Sequence, residues 1–155
     1  MERITTNRSV YFNEIKKELL DISSLKNRKL VFTYCEIGQL LTHGFSISFL
    51  VGENSYLHIR KWNAEYDNER FKLGIFNLDR LALIKHEKEL NNNDLLKIKS
   101  LLKSHLNINK LDTVILDGFY SELIFDKFTL SWNIKDEMNL ALSELICFIK
   151  NKAEQ

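Results

Sequence analysis

Histidine is the commonest general base in enzymes, because its imidazole changes charge near neutral pH. The chain has four, His43, His58, His86 and His105. Their spacing matches no HxxxH, HExxH or Cys/His zinc pattern. Zinc requires three or four ligands converging on one point, so the four read as surface or strand-edge residues. A serine nucleophile needs an activating base and a sharp turn that exposes its hydroxyl. No GxSxG is present; Ser46 and Ser48 read as the polar face of a strand, and Ser23-Ser24 as the close of a helix. Phosphate-cradling loops need clustered glycines, whereas Gly38, Gly44, Gly52, Gly74 and Gly118 are scattered. No catalytic constellation and no cofactor site follow from these residues, and the chain reads as a non-enzyme.

One carboxylate pattern carries more. Glu65, Asp67 and Glu69 recur at every second position, so an extended backbone aims all three to one side. Three such oxygens could hold Mg²⁺ or Ca²⁺; the reading taken is a solvated acidic loop with no metal, since Tyr66 and Asn68 intervene. Trp62 and Tyr66 flank this loop, and aromatics beside carboxylates are the composition of a protein-binding hot spot aimed at a basic partner. Against that, Trp62 ends a strand and reads more readily as packing inward, while Tyr66 stands open between the two. Asp117 precedes Gly118 and reads as a turn residue, not a catalytic acid.

The elements that position these residues follow from periodicity. Phe12, Ile15, Leu19 and Ile22 fall at helical spacing, predicting a helix over Ser9 to Leu25 with Ser9 as its N-cap. Leu30 to Cys35 suits a strand buried on both faces. Phe45 to Val51 alternates as a half-buried strand, Gly52-Glu53-Asn54 is a turn, and Tyr56 to Trp62 returns as a hairpin partner. Asn63 to Asn68 reads as a loop and Phe71 to Ile84 as further strand; Asn77 to Glu89 is equally compatible with helix. Asn91-Asn92-Asn93 breaks the chain and caps a helix carrying Leu95, Ile98, Leu102 and Leu106. Val114-Ile115-Leu116 leads into Asp117-Gly118, a hairpin signal. Tyr120 to Phe125, a turn at Asp126-Lys127 and Phe128 to Trp132 continue the meander. The last helix starts near Asn133, with Asp136 and Glu137 in its first turn and Met138, Leu142, Leu145 and Ile149 as its stripe. The class is α+β: an antiparallel β-meander sheet with three main helices, N-terminal, middle and C-terminal, packed mainly on one face.

Composition sets outer limits. A chain of 155 residues with 45% hydrophobic and 28% charged residues is one globular domain, 1–155, able to bury a core without a metal or disulfide. Cys35 and Cys147 both sit in apolar runs and read as core residues. The polar amino terminus lacks a signal-peptide core, and no apolar run approaches the ~20 residues of a membrane span, so a cytoplasmic protein without membrane contact is expected. Net charge is +1, with nine basic and six acidic residues in 1–62, five and seven in 63–94, and eight of each in 95–155. Nucleic-acid binding calls for a concentrated basic surface, and this distribution argues against it.

The second half has a familiar layout. Ile115-Leu116-Asp117-Gly118 is followed by Tyr120-Ser121-Glu122-Leu123, by Leu130-Ser131-Trp132 and by Asp136-Glu137-Met138-Asn139-Leu140 opening a terminal amphipathic helix. With the Trp62…Asp67…Arg70-Phe71…Gly74 stretch, it resembles small bacterial immunity proteins of polymorphic and contact-dependent growth-inhibition toxin systems, over residues 55–150. The resemblance implies a non-enzymatic inhibitor that binds a cognate protein toxin in the cytosol. A nuclease-type toxin would present a basic cleft, and region 63–94 offers the matching negative charge. Trp62, Glu65, Tyr66, Asp67 and Glu69 are the contact patch expected on that basis, and Lys at 65, 67 and 69 should weaken neutralisation while leaving folding intact. A different protein-binding module, structural or regulatory, shares every composition argument. An enzyme of unfamiliar type would instead show a cleft with juxtaposed histidines and carboxylates.

Overall fold

The computed structural model describes residues 2–23, 25, 27–38, 40–73, 81–111 and 118–155. Helix α1 spans Glu2–Leu20, and strands β1, β2 and β3 span Lys29–Gly38, Gly44–Val51 and Ser55–Trp62. Helix α2 (Ala64–Lys72), strand β4 (Leu83–Leu90) and helix α3 (Asn92–Lys103) follow. The chain closes with β5 (Phe119–Phe125), β6 (Thr129–Trp132), a 3₁₀ turn at Lys135–Glu137 and α4 (Leu140–Glu154). The strands form one antiparallel sheet in the order β4-β3-β2-β1-β5-β6. The α+β class expected from the sequence is the fold observed.

Strand alternation sorts the side chains into two cores. Phe32, Tyr34, Ile47, Phe49, Leu57 and Ile59 face one way and pack against Ile98 and Leu101 of α3 and Leu142, Leu145, Ile146 and Ile149 of α4. Cys35, Ile37 and Trp62 face the other way, against Ile15 and Leu19 of α1. Two of the three long helices therefore share a face, and the first covers the opposite one. This explains why β1 reads as apolar on both sides.

Several local expectations are corrected. The first helix begins at Glu2 and stops at Leu20, so Ser9 lies inside it rather than capping it, and Ile22 is exposed. Asn63 to Asn68 is not an extended loop: α2 begins there, because the Asn63 side chain accepts the Tyr66 N–H at 3.2 Å and caps the helix. Phe71 accordingly belongs to α2, and the ambiguous 77–89 stretch becomes β4 where it is described, from Leu83; positions 74–80 lie outside the described residues. Positions 112–117, which include the Asp117-Gly118 hairpin signal up to Asp117, also lie outside them. The last helix starts at Leu140, with Asn139 capping the Leu142 N–H at 2.9 Å; Asp136 and Glu137 sit in the 3₁₀ turn before it. Asn91 caps α3 as expected, in a reciprocal box with Asp94. Cys35 is buried but Cys147 is exposed, and both are free thiols. No helix among the described residues is long and apolar enough to cross a membrane.

Candidate functional site

Helix α2 carries Glu65, Tyr66, Asp67 and Glu69 of the contact patch expected from the sequence, Trp62 ends β3 just before it, and the helical period splits the patch. Asp67 is 0% exposed. Its Oδ2 accepts the Trp62 indole N–H at 2.8 Å and the Ala82 backbone N–H at 2.9 Å, and its Oδ1 accepts Arg70 at 3.0 Å. Trp62 is 5% exposed, with the Tyr11 ring edge-on at 5.5 Å. Trp62 and Asp67 are thus interior anchors that fasten α2 to β3 and to the chain entering β4. The two do not reach the surface. The alternation that would have aimed Glu65, Asp67 and Glu69 one way fails because a helix turns about 100° per residue. What α2 and the turn after it present to solvent includes Glu65, Tyr66, Glu69, Lys72 and Leu73; Tyr66 is 56% exposed and Leu73 77%. Tyr66, Glu69 and Leu73 fall at i, i+3 and i+7, along one stripe. Arg70 lies over the Tyr66 ring at 5.6 Å, and Lys72 pairs with Glu69 at 2.9 Å.

A second cluster centres on Glu36, a residue the sequence reading passed over. Its carboxylate accepts the Tyr34 hydroxyl at 2.7 Å, meets His43 Nε2 at 3.2 Å and lies 3.5 Å from Lys150 Nζ. Burial pushes the Glu36 carboxyl up, but the bonds from His43 and Tyr34 and the charge of Lys150 outweigh burial and hold it below the ordinary carboxylate range. Burial, with the neighbouring Glu36 charge, raises the Tyr34 phenol. The β1–β2 turn sets His43 in place. Gly38 N–H donates to His43 O at 3.0 Å, and a Cβ on Gly38 would stand 2.9 Å from the imidazole. Leu41 takes a left-handed φ of 56° so that its side chain can bury in the α1 core. Beside this cluster runs a groove of about 320 Å³ with Phe45, Ile47, Ile59 and Trp62 in its wall and His43, Lys61, Lys150 and Glu154 among its lining residues. His43 is therefore no isolated surface residue. The signal that could have found it is parity: Tyr34 and Glu36 share a strand face, and the two-strand register brings Glu36 opposite Phe45.

A third polar group lies on the sheet face under α1. Arg60 is 0% exposed, donating to the Asp21 carbonyl and, at 2.8 Å, to Ser48 Oγ, while its Nε has no hydrogen-bond partner among the described residues. Ser48 Oγ also meets Thr33 Oγ1 at 2.9 Å, and Ser46 Oγ donates to the Leu19 carbonyl at 2.6 Å. Ser46 and Ser48 are thus buried, not a solvated strand face, because α1 covers them. His58 is buried as well, with its Nδ1 3.5 Å from Glu87 Oε1 and without a hydrogen-bond partner for that nitrogen among the described residues. Burial and the Arg60 charge together lower its pKa against the pull of Glu87. His86 and His105 are exposed.

Among the described residues no three His, Cys, Asp or Glu side chains converge to hold a metal ion. No family model matches this chain, and neither does any curated protein or solved structure.

Proposed function

We propose that this protein works by binding another protein, as a non-enzymatic immunity protein that neutralises a cognate toxin in the cytosol. The outer stripe of α2 supports the reading. An exposed tyrosine and leucine flank Glu69, with Glu65 beside them, on a helix whose inner edge is locked by the buried Asp67. Tyrosine is a frequent interface anchor, and a surface already rigid before binding loses little conformational entropy on association. Glu65 and Glu69 would engage basic groups of the partner, which then compete with Lys72 for Glu69.

The contact residues on this reading are Glu65, Tyr66 and Glu69, joined by Leu73. Trp62 and Asp67 hold the helix that carries them, so the charge-reversal test excludes position 67. Tyr66→Ala, and Glu65→Lys with Glu69→Lys, should keep the wild-type melting temperature. They should also weaken capture of the partner from the native cell, and protection against its toxin, by roughly 30-fold or more, the scale of a hot-spot residue. Folded variants that capture and protect like the wild type would refute the reading.

A second reading draws on the Glu36–His43 pair beside the groove. A carboxylate that orients an imidazole is the arrangement of a general base, and the adjoining groove matches the lower end of small-ligand site volumes, about 300 Å³. His43→Gln separates the two: it should abolish a small-molecule activity and leave toxin neutralisation untouched.

A further inference from the structure

Strand β4 is one edge of the sheet. Its eight residues pair with β3 without a register shift, from Trp62↔Leu83 to Ser55↔Leu90. Ala82, the next position in that register, accepts the Asn63 N–H at 2.7 Å and so turns its carbonyl toward β3. In an antiparallel ladder, residues that bond to the partner alternate with residues that face away. The even-numbered residues Ile84, His86 and Lys88 therefore bond to β3. Leu83, Lys85, Glu87 and Glu89 turn their N–H and C=O groups to the free edge, and no other described backbone group pairs with them. A long, unpaired edge is a template for another strand.

Charged side chains on such an edge oppose pairing unless the register sets opposite signs against each other. Strand β4 carries both signs: Lys85, then Glu87 and Glu89, on the face shared with His58 and Arg60. When two copies meet about a two-fold axis perpendicular to the sheet, side chains keep their faces and odd positions oppose odd positions. The register centred on His86 sets Lys85 opposite Glu87 twice and Leu83 opposite Glu89 twice. All four outward residues of each strand then exchange both backbone bonds. Shifting the centre to Glu87 loses one opposed pair and stacks Glu87 on itself.

We propose that β4 pairs antiparallel with β4 of a second copy in the register centred on His86, joining the two sheets into one continuous sheet across a homodimer. The contact is a strand edge and not a broad hydrophobic face, so the dimer is of the weak, reversible class, with a dissociation constant of roughly 10–100 µM. It is independent of the role assigned to α2.

Sedimentation equilibrium across that concentration range tests it. The wild type should move reversibly between monomer and dimer. Lys85→Glu sets Glu opposite Glu87 at both sites, and Glu87→Lys sets Lys opposite Lys85, so each variant alone should dimerise at least roughly tenfold more weakly. Mixed together they should form a heterodimer, because both opposed pairs regain opposite signs. Glu87 also bonds Arg28 at 2.8 Å within its own chain. Lys85→Pro is therefore the companion variant: it removes an outward N–H, leaves the β3-facing bonds of Ile84 and His86 alone, and should abolish the dimer. A wild type that stays monomeric throughout, single variants that dimerise normally, or a mixture with no heterodimer would each overturn the proposal.

Discussion

Removing the carboxylate of Asp67 tests whether α2 is anchored as described. The side chain is fully buried and accepts three hydrogen bonds, from Trp62, Ala82 and Arg70. In Asp67→Ala the indole N–H and the Ala82 amide lose their acceptor; the buried indole donor costs about 1–3 kcal/mol and the half-buried amide less. Arg70, one-fifth exposed, can turn to water and loses less. The sum is a destabilisation of about 2–5 kcal/mol, among the larger effects of single substitutions. For a domain of this size each kcal/mol moves Tm by about 2–4 °C, so Tm should fall by roughly 4–20 °C. Asp67→Asn is the graded control. Its carbonyl can take the Oδ2 position and keep both N–H donors, while its NH₂ replaces the Oδ1 acceptor and Arg70 turns to water, at a cost of about 1–2 kcal/mol. Urea unfolding followed by tryptophan fluorescence measures both variants. Asp67→Ala within 1 kcal/mol of wild type, or Asn as harmful as Ala, would refute the anchor. A folded Asp67→Asn variant should also keep its partner, since position 67 contacts nothing outside the molecule.

Two further outcomes follow from the buried polar groups. The folded-state pKa of His58 lies below its ordinary 6.5 through burial and the Arg60 charge, so the folded state binds fewer protons there than the unfolded chain. Its contribution is present above pH 6.5 and is lost as pH falls through the lowered folded value, with a slope of at most about 1.4 kcal/mol per pH unit. Arg60 and Lys85 oppose the added proton while Glu87 favours it. Stability measured from pH 7.5 to 5 should therefore fall less steeply in His58→Gln than in the wild type, and parallel curves would contradict the assignment. For the thiols, burial pushes Cys35 up to about 12, whereas Cys147 is exposed. A thiol reagent at pH 8 should label one cysteine per molecule, Cys147, and reach Cys35 only in denaturant; labelling of Cys35 at the same rate would contradict its burial.

How far the sequence could be read depends on the length scale of each interaction. Strands β1 to β3 were visible because alternating Phe, Ile and Leu repeat the two-residue period of a pleated backbone, and α3 because Asn91 and Asp94 form a cap within four residues. Helix α2 was missed because only nine residues form it and its stability comes from Asp67 reaching Trp62 and Ala82, not from an apolar stripe. The same mistake placed Asp67 on the surface. The start of α1 at Glu2 was missed because its first turns lack the Phe12–Leu19 spacing.

The sequence by itself determined the class of fold and most strand positions, since side-chain period and turn residues act within a few residues of one another. Only the tertiary structure decided which polar groups are interior. Arg60, Ser46 and Ser48 alternate like a solvated strand face until α1 closes over them, and Glu36 is an ordinary strand carboxylate until His43 and Lys150 arrive beside it. Lys16 meets Glu122 at 2.8 Å across 106 positions of chain. Burial and charge pairing at such separations depend on the order of strands in the sheet, and a local pattern of residues carries no record of that order.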